Sequence, residues 1–399
     1  MKSRSREIWD IFQAFLWLGL TSFGGPIAHL GYFRDEFVEK RKWLSDKQYA
    51  DLVALCQFLP GPASSQVGMA IGLLRAEFIG SFAAWFGFTL PSALLMLGFA
   101  YGFDALSGQS MGSVLHGLKI VAVAVVAQAV WGMAKNLCPD RLRITIMVLV
   151  CSLTLLFPSA YAQIIVLFCA GIIGLILCKP ERENVSYDAL PVPYNGIIGL
   201  ILLSIFFISL LGLVLAILLW PSVILAQIEA FYRSGAMIFG GGHVILPLLR
   251  EAIVVPGWVD NNTFLAGYGI AQALPGPLTT FAAFLGASMK QGLHGWLGGL
   301  VGLIMIFIPS FLLVTGALPF WSKLQNYRNT RAALMGINAA VVGLLVAALY
   351  NPLWQSTILQ PADFVLSLLA FTALVFWRVP VVLVVLLCGM GAWLITGII

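Results

Sequence analysis

Two proline-glycine-proline runs in this sequence carry hydroxyl side chains at the same distance behind them. Pro60-Gly61-Pro62 is followed by Ser64 and Ser65, and Pro275-Gly276-Pro277 by Thr279 and Thr280. A glutamine, Gln57 or Gln272, stands three residues before each run. Proline lacks an amide hydrogen and disrupts the helix before it, while glycine permits a turn, so each run is expected to stop one helix and start another. The first N–H groups of a new helix have no intrahelical acceptor. Hydroxyls in its first turn can donate beside them, and this combination suits an oxyanion.

Each run is preceded by another break, Phe23-Gly24-Gly25 in one case and Phe239-Gly240-Gly241 in the other. Four helix starts result, near Pro26, Pro62, Gly242 and Pro277. Each is worth at most about half a positive charge, so four together could offset about two negative charges. The candidate binding residues for a small dianion are therefore Gly24, Gly25, Gln57, Pro60, Gly61, Pro62, Ser64 and Ser65, with Gly240, Gly241, Gln272, Pro275, Gly276, Pro277, Thr279 and Thr280. The glutamine amides are expected to face the protein interior, because lipid exposure would be costly. A single break could equally be a packing kink, and a hydroxyl could simply cap its helix. Recurrence of the whole set favours a site.

Other polar residues have narrower roles open to them. His29 and His243 follow the glycine breaks and could each carry a coupled proton, the alternative being a hydrogen-bonded interior histidine. Lys119 lies some six residues into an apolar segment and could line an anion path. Arg34 and Arg250, beside Asp35 and Glu251, stand at equivalent exits from the broken segments and could act as gates or as local charge pairs. Glu77, Asp104, Glu229 and Asp260 are expected at the membrane interface. No carboxylate stands at ligand spacing from the histidines, so no metal site is expected. The six cysteines lack metal or redox spacing and read as packing residues.

The elements that must hold these residues are membrane helices. The chain is 60% hydrophobic and 10% charged, with a mean hydropathy of +0.96, which leaves too little polar surface for a water-soluble globule. Segments 78–101, 114–134, 197–219, 296–318 and 332–350 are each long enough to cross a hydrocarbon core of about 30 Å as helices. The basic N-terminus leads into an apolar stretch without a small-residue cleavage site, so that stretch is expected to remain in the protein. The net charge of +5 comes from short loops, and no nucleic-acid partner is implied. No phosphate-binding loop is present, so no ATP-driven pump or other cofactor is expected within the chain, and no nucleophile-base spacing points to an enzyme.

Sliding the chain on itself by roughly 215 to 219 positions superposes Trp43 on Trp258, Gln57 on Gln272, Pro91-Ser92 on Pro309-Ser310 and Gly117 on Gly336. Two homologous halves follow, 1–178 and 220–399, joined by a linker and an extra helix at 179–219. Matched loops differ in charge. Segment 34–47 holds five basic residues and its counterpart 250–262 only Arg250, whereas 102–112 holds none and its counterpart 321–331 holds Lys323, Arg328 and Arg331. Under the positive-inside rule the halves are inverted, and the fold expected is an all-α polytopic membrane protein of two inverted repeats with broken re-entrant hairpins. About nine full spans and four hairpins of half-helices, each about a dozen residues, complete the count.

The Phe-Gly-Gly runs close to histidines, Trp43-Leu44 and Trp258-Val259 downstream, and the two Gln-x-x-Pro-Gly-Pro runs resemble the chromate ion transporter family in its long, two-domain form. The likeness covers nearly the whole chain. It implies export of chromate across the cytoplasmic membrane of a bacterium or archaeon, coupled to protons and conferring chromate resistance, with sulfate or another oxyanion, or a passive anion channel, as alternatives. The assembly is open, a homodimer being one option. The chain departs from strict repetition where Gly242 replaces Pro26 and where His243 is shifted relative to His29.

Overall fold

Ser45, Asp140, Asn195 and Asp260 each accept a backbone N–H in the first turn of the helix they open. The structure, a computed structural model, describes residues 4–23, 25–105, 109–157, 160–179, 190, 192–239, 244–321 and 327–398. Among these the regular elements are all helices. In the first half α1 (Arg4–Thr21) runs to the glycine break and α2 (Gly25–Arg34) leaves it, continuing through a π-helical turn. α3 (Asp46–Phe58) opens on Ser45, whose hydroxyl accepts the Gln48 N–H at 3.2 Å while the Gln48 side chain accepts the Ser45 N–H at 3.0 Å. α4 (Ala63–Ala105) starts directly after Pro62 and has two arms, because the backbone leaves helical geometry at Ala76 and Glu77. α5 (Gln109–Leu137), α6 (Arg141–Leu156) and α7 (Ala160–Leu177) complete this half.

After α8 (Gly196–Leu219) the order recurs. It runs through α9 (Val223–Ala236), α10 (Ile245–Leu249) with a second π-helical turn, α11 (Asn261–Ala273) capped by Asp260, and α12 (Phe281–Ala287). It ends with α13 (Gly295–Ala317), α14 (Arg328–Ala348), α15 (Pro361–Val375) and α16 (Val381–Ile398). In the second arms of the hairpins here the helix changes type: the 5 residues of α10 continue through the π-helical turn Arg250–Val254, and a 3-10 turn, Leu278–Thr280, leads from Pro277 into the 7 residues of α12. Beyond α12 the chain is pinned by Gln227, which donates to Gln291 O at 2.6 Å and accepts the Leu293 N–H at 2.8 Å.

Five helical stretches among the described residues are long and apolar enough to cross a membrane: Ala63–Gly102, His116–Leu137, Gly196–Leu219, Gly295–Phe320 and Asn329–Thr357. Shorter apolar stretches lie in α7 (Ile165–Leu177), at α12 (Leu278–Ala287), in α15 (Pro361–Val375) and in α16 (Val381–Ala392). α8 is the plainest lipid-facing element: its buried residues are Gly199 and Phe206, and the rest of its surface is mostly leucine, isoleucine and phenylalanine.

Small residues let the backbones approach, as membrane packing requires. Gly19 on α1 faces the Phe88 carbonyl of α4, and Gly87 on α4 faces the Phe12 carbonyl of α1, each with 2.7 Å for an added Cβ. α1 to α4 pack with α8, α9, α12 and α13 into one group. The other helices exchange partners between the halves. α5 packs on α15 and α16, and α14 packs on α6 and α7. Gly117 abuts the Cys388 carbonyl and its counterpart Gly336 the Ala170 carbonyl, so the exchange is reciprocal.

Candidate substrate site at the helix breaks

The last carbonyls of a helix lack intrahelical donors, and at two breaks the opposite half supplies one. The Gly61 N–H donates to Ile238 O, just beyond α9, at 2.6 Å, and the Gly276 N–H donates to Ser22 O, just beyond α1, at 2.9 Å. Ser22 and Ile238 each precede a Phe-Gly-Gly run, and Gly61 and Gly276 each centre a Pro-Gly-Pro run. The same bond is thus made twice with the halves exchanged. Both glycines occupy backbone conformations suited to glycine, at φ +133° and +92°. A Cβ on Gly61 would overlap the Gln66 amide and lie 2.6 Å from Ser310 Oγ, and a Cβ on Gly276 would lie 2.8 Å from Ser92 Oγ. Ser92 and Ser310 are also repeat equivalents.

His29 links the two breaks of the first half. It is 1% exposed, with Nε2 3.2 Å from Ser22 O and Nδ1 3.3 Å from Ser64 Oγ. A carbonyl can only accept, so the neutral ring carries its hydrogen on Nε2 and accepts from Ser64 at Nδ1. Ser22 O therefore receives both His29 and Gly276. Through these contacts the Pro275–Pro277 turn, α2 and the start of α4 meet in one place.

On the residues that make these contacts, and next to them in the chain, are buried polar atoms without a hydrogen-bond partner: Ser22 Oγ, Ser65 Oγ, Gln66 Oε1, Gln272 Nε2, Thr279 Oγ1 and Ser310 Oγ. Leaving such a group unpaired costs about 1–3 kcal/mol. Four hydroxyls and one amide nitrogen can donate, and the single pure acceptor is Gln66 Oε1, since Gln66 Nε2 already donates to Pro60 O at 2.7 Å. Gln272 also hydrogen-bonds the fully buried Tyr268. Thr280 differs from Thr279: its hydroxyl donates to Pro277 O at 2.9 Å and caps its own turn.

Several candidates from the sequence stand elsewhere. Gly24, Gly240, Gly241, Gly242 and His243 lie outside the described residues. Gln57 is exposed, not interior, because the face of α3 bearing Lys47, Ala50, Ala54 and Gln57 is left uncovered. Lys119 donates from Nζ to Asn262 Oδ1 at 2.8 Å, which holds it against the start of α11. Arg34 is exposed and bound to Asp46 at 2.6 Å and Glu39 at 3.1 Å, and the Asp46 hydrogen bond pushes its pKa up. Arg250 is half-buried, with no partner at Nε. Glu229, expected at the interface, is buried and paired with Arg233 at 2.5 Å. Asp260 caps α11. Burial works to raise its pKa, but the Thr263 N–H and hydroxyl and Lys290 hold the carboxyl below its ordinary value.

Sequence reasoning missed Ser22, Gln66 and Ser310. Gln66 adjoins Ser65 and was within reach of the same argument, whereas Ser22 and Ser310 gain meaning only from the glycines they face. It also missed His116 and Asp363, whose Nε2 to Oδ1 distance is 2.9 Å and whose separation along the chain leaves no local signal. Among the described residues no cluster of three or more histidine, cysteine, aspartate or glutamate side chains could hold a metal ion.

The profile of chromate transporters matches residues 9–175 and 225–393, one segment in each half. The chain belongs to the chromate transporter family. It is 27% identical to the chromate transport protein of Pseudomonas aeruginosa over 97% of this chain and 92% of that one. The chromate transport protein of Cupriavidus metallidurans is 26% identical, over 85% of this chain and 81% of that one. A probable chromate transport protein of Synechococcus elongatus is 27% identical, over 85% and 83% respectively. No solved structure matches the chain. Family and helices together describe a multi-pass membrane protein of a transporter family.

Proposed function

We propose that this protein is a secondary transporter that exports chromate from the cytoplasm across the inner membrane, coupled to protons, and that it confers chromate resistance. The observation that carries this reading is the donor-rich set of unpartnered buried atoms beside two helix breaks that dock on opposite halves. Chromate is a tetrahedral dianion whose oxygens only accept, so free hydroxyls, an amide donor and the start of α4 are complementary to it. Membership of the family and the names of its relatives support chromate as cargo. Sulfate has the same shape and charge and is the competing substrate.

Alternating access between two inverted units is supported by the charge bias of matched loops and by the reciprocal contacts of the halves. His29 is the proposed proton carrier. Protonation at Nδ1 reverses the bond to Ser64, which must then accept from the ring and can turn its own hydrogen towards a cargo oxygen. Arg34 and Arg250 remain gate candidates at the hairpin exits.

The test is uptake of chromate and sulfate into proteoliposomes with and without an imposed pH gradient, beside a variant carrying Pro62→Ala and Pro277→Ala. Gradient-dependent chromate uptake, lost in the folded variant, is expected. Folded, inserted protein that takes up neither anion refutes the reading.

A further inference from the structure

The two halves repeat, but one half is closed where the other is open. α11 lies along α5 so closely that a Cβ on Gly269 would overlap the Leu118 carbonyl, and Lys119 Nζ bonds Asn262 Oδ1 at 2.8 Å. Residues 264 to 271 of α11 are all buried, and α16 packs on the same helix. α3 is the counterpart of α11, with its register fixed by the capping residues Ser45 and Asp260. α3 does not pack along α14 or α7 in this way. Its uncovered face, Lys47, Ala50, Ala54 and Gln57, corresponds position by position to Asn262, Leu265, Gly269 and Gln272.

The register of the opposing helices is equally firm. Gly117 and Gly336 make equivalent backbone contacts, and the seven residues from Ile120 and the seven from Ala339 are all buried. Lys119 therefore corresponds to Asn338, and Asn262 to Lys47. The lysine–asparagine bond that joins α5 to α11 has the same two residue types waiting at the matching positions of α14 and α3, with the helices exchanged. Neither the Lys47 nor the Asn338 side chain bonds another described residue.

We propose that Lys47 and Asn338 form a second latch, made when α3 closes on α14 and α11 parts from α5. The proposal rests on the alternating-access reading and assigns its two closed contacts to named side chains. The open face of α3 leads from Lys47 to Gln57, three residues before Pro60, so in the present state this face is the way to the helix breaks. Ala54 stands where α11 has Gly269, so closure on this side is wider than on the other.

Two measurements on the full chain in proteoliposomes test it. Asn338→Lys sets two like charges face to face in the second latch, and oxyanion uptake is expected to fall about tenfold. Adding Lys47→Asn recreates the arrangement seen at Lys119 and Asn262, and uptake should return to within about twofold of the original. A double variant no faster than Asn338→Lys alone overturns the latch. The second measurement does not depend on the cargo. With the half-buried Cys151 and the exposed Cys169 replaced by serine, the pair Lys47→Cys and Asn338→Cys and, separately, the pair Lys119→Cys and Asn262→Cys are treated with a short bismaleimide. Both pairs should link, each in part of the population, and each link should stop transport. Linking of the second pair alone, with or without substrate and pH gradient, refutes the proposal. If both pairs link in protein that carries no chromate, the substrate reading falls and the latch stands.

Discussion

A buried hydroxyl without a partner is a cost to the folded protein, so removing it separates binding from structure. Ser65→Ala with Thr279→Val should leave thermal stability in detergent unchanged or raise it by about 1 kcal/mol per site, while chromate uptake falls about tenfold. Loss of stability in step with uptake would assign both hydroxyls a structural role. His29→Gln keeps a polar side chain near Ser22 but cannot titrate near neutral pH. Uptake driven by a chromate gradient should persist in that variant and cease to respond to a pH gradient, and a preserved pH response removes His29 from coupling. At this scale Ser64, Ser65, Thr279 and Gln272 were legible because the Pro-Gly-Pro spacing marks them. Ser22 and Ser310 were not, because their neighbours Gly276 and Gly61 come from the other half of the chain.

Among the elements, the breaks depend on glycines that no other residue replaces cheaply. Gly61→Ala places a Cβ on the Gln66 amide at φ +133° and should cost about 2 kcal/mol or more, measured as thermal unfolding in detergent. Gly31→Ala, on α2 with open space around it, is the control and should be neutral or slightly stabilising. The breaks marked the starts of α2 and α4 in the sequence, whereas the caps of α3 and α11, Ser45 and Asp260, emerge only from the structure. The mixed helix of the second-half arms was not legible either: hydropathy carries no sign of the π-helical turn that continues α10 from Arg250 or of the 3-10 turn before α12, and the chain beyond α12 is held by Gln227 gripping Gln291 and Leu293.

For the whole molecule the central expectation is inversion, read from basic residues in matched loops and tested by labelling. Glu39→Cys and Val255→Cys, both at exposed corners, should react with a membrane-impermeant maleimide from opposite sides of sealed vesicles. Reaction from one side only for both positions overturns the inversion. Repeats and charge bias made the two halves visible in the sequence, but not that they trade partners, because similarity along a chain carries no information about which copy a helix touches. That exchange sets an order of assembly. Ser22 and Gly61 emerge from the ribosome long before Gly276 and Ile238 exist, so the first half enters the bilayer with the Gly61 amide bare and the Ser22 carbonyl held by His29 alone. It stays unfinished until the second half arrives, and the two halves supplied as separate chains would complete each other where neither could complete itself.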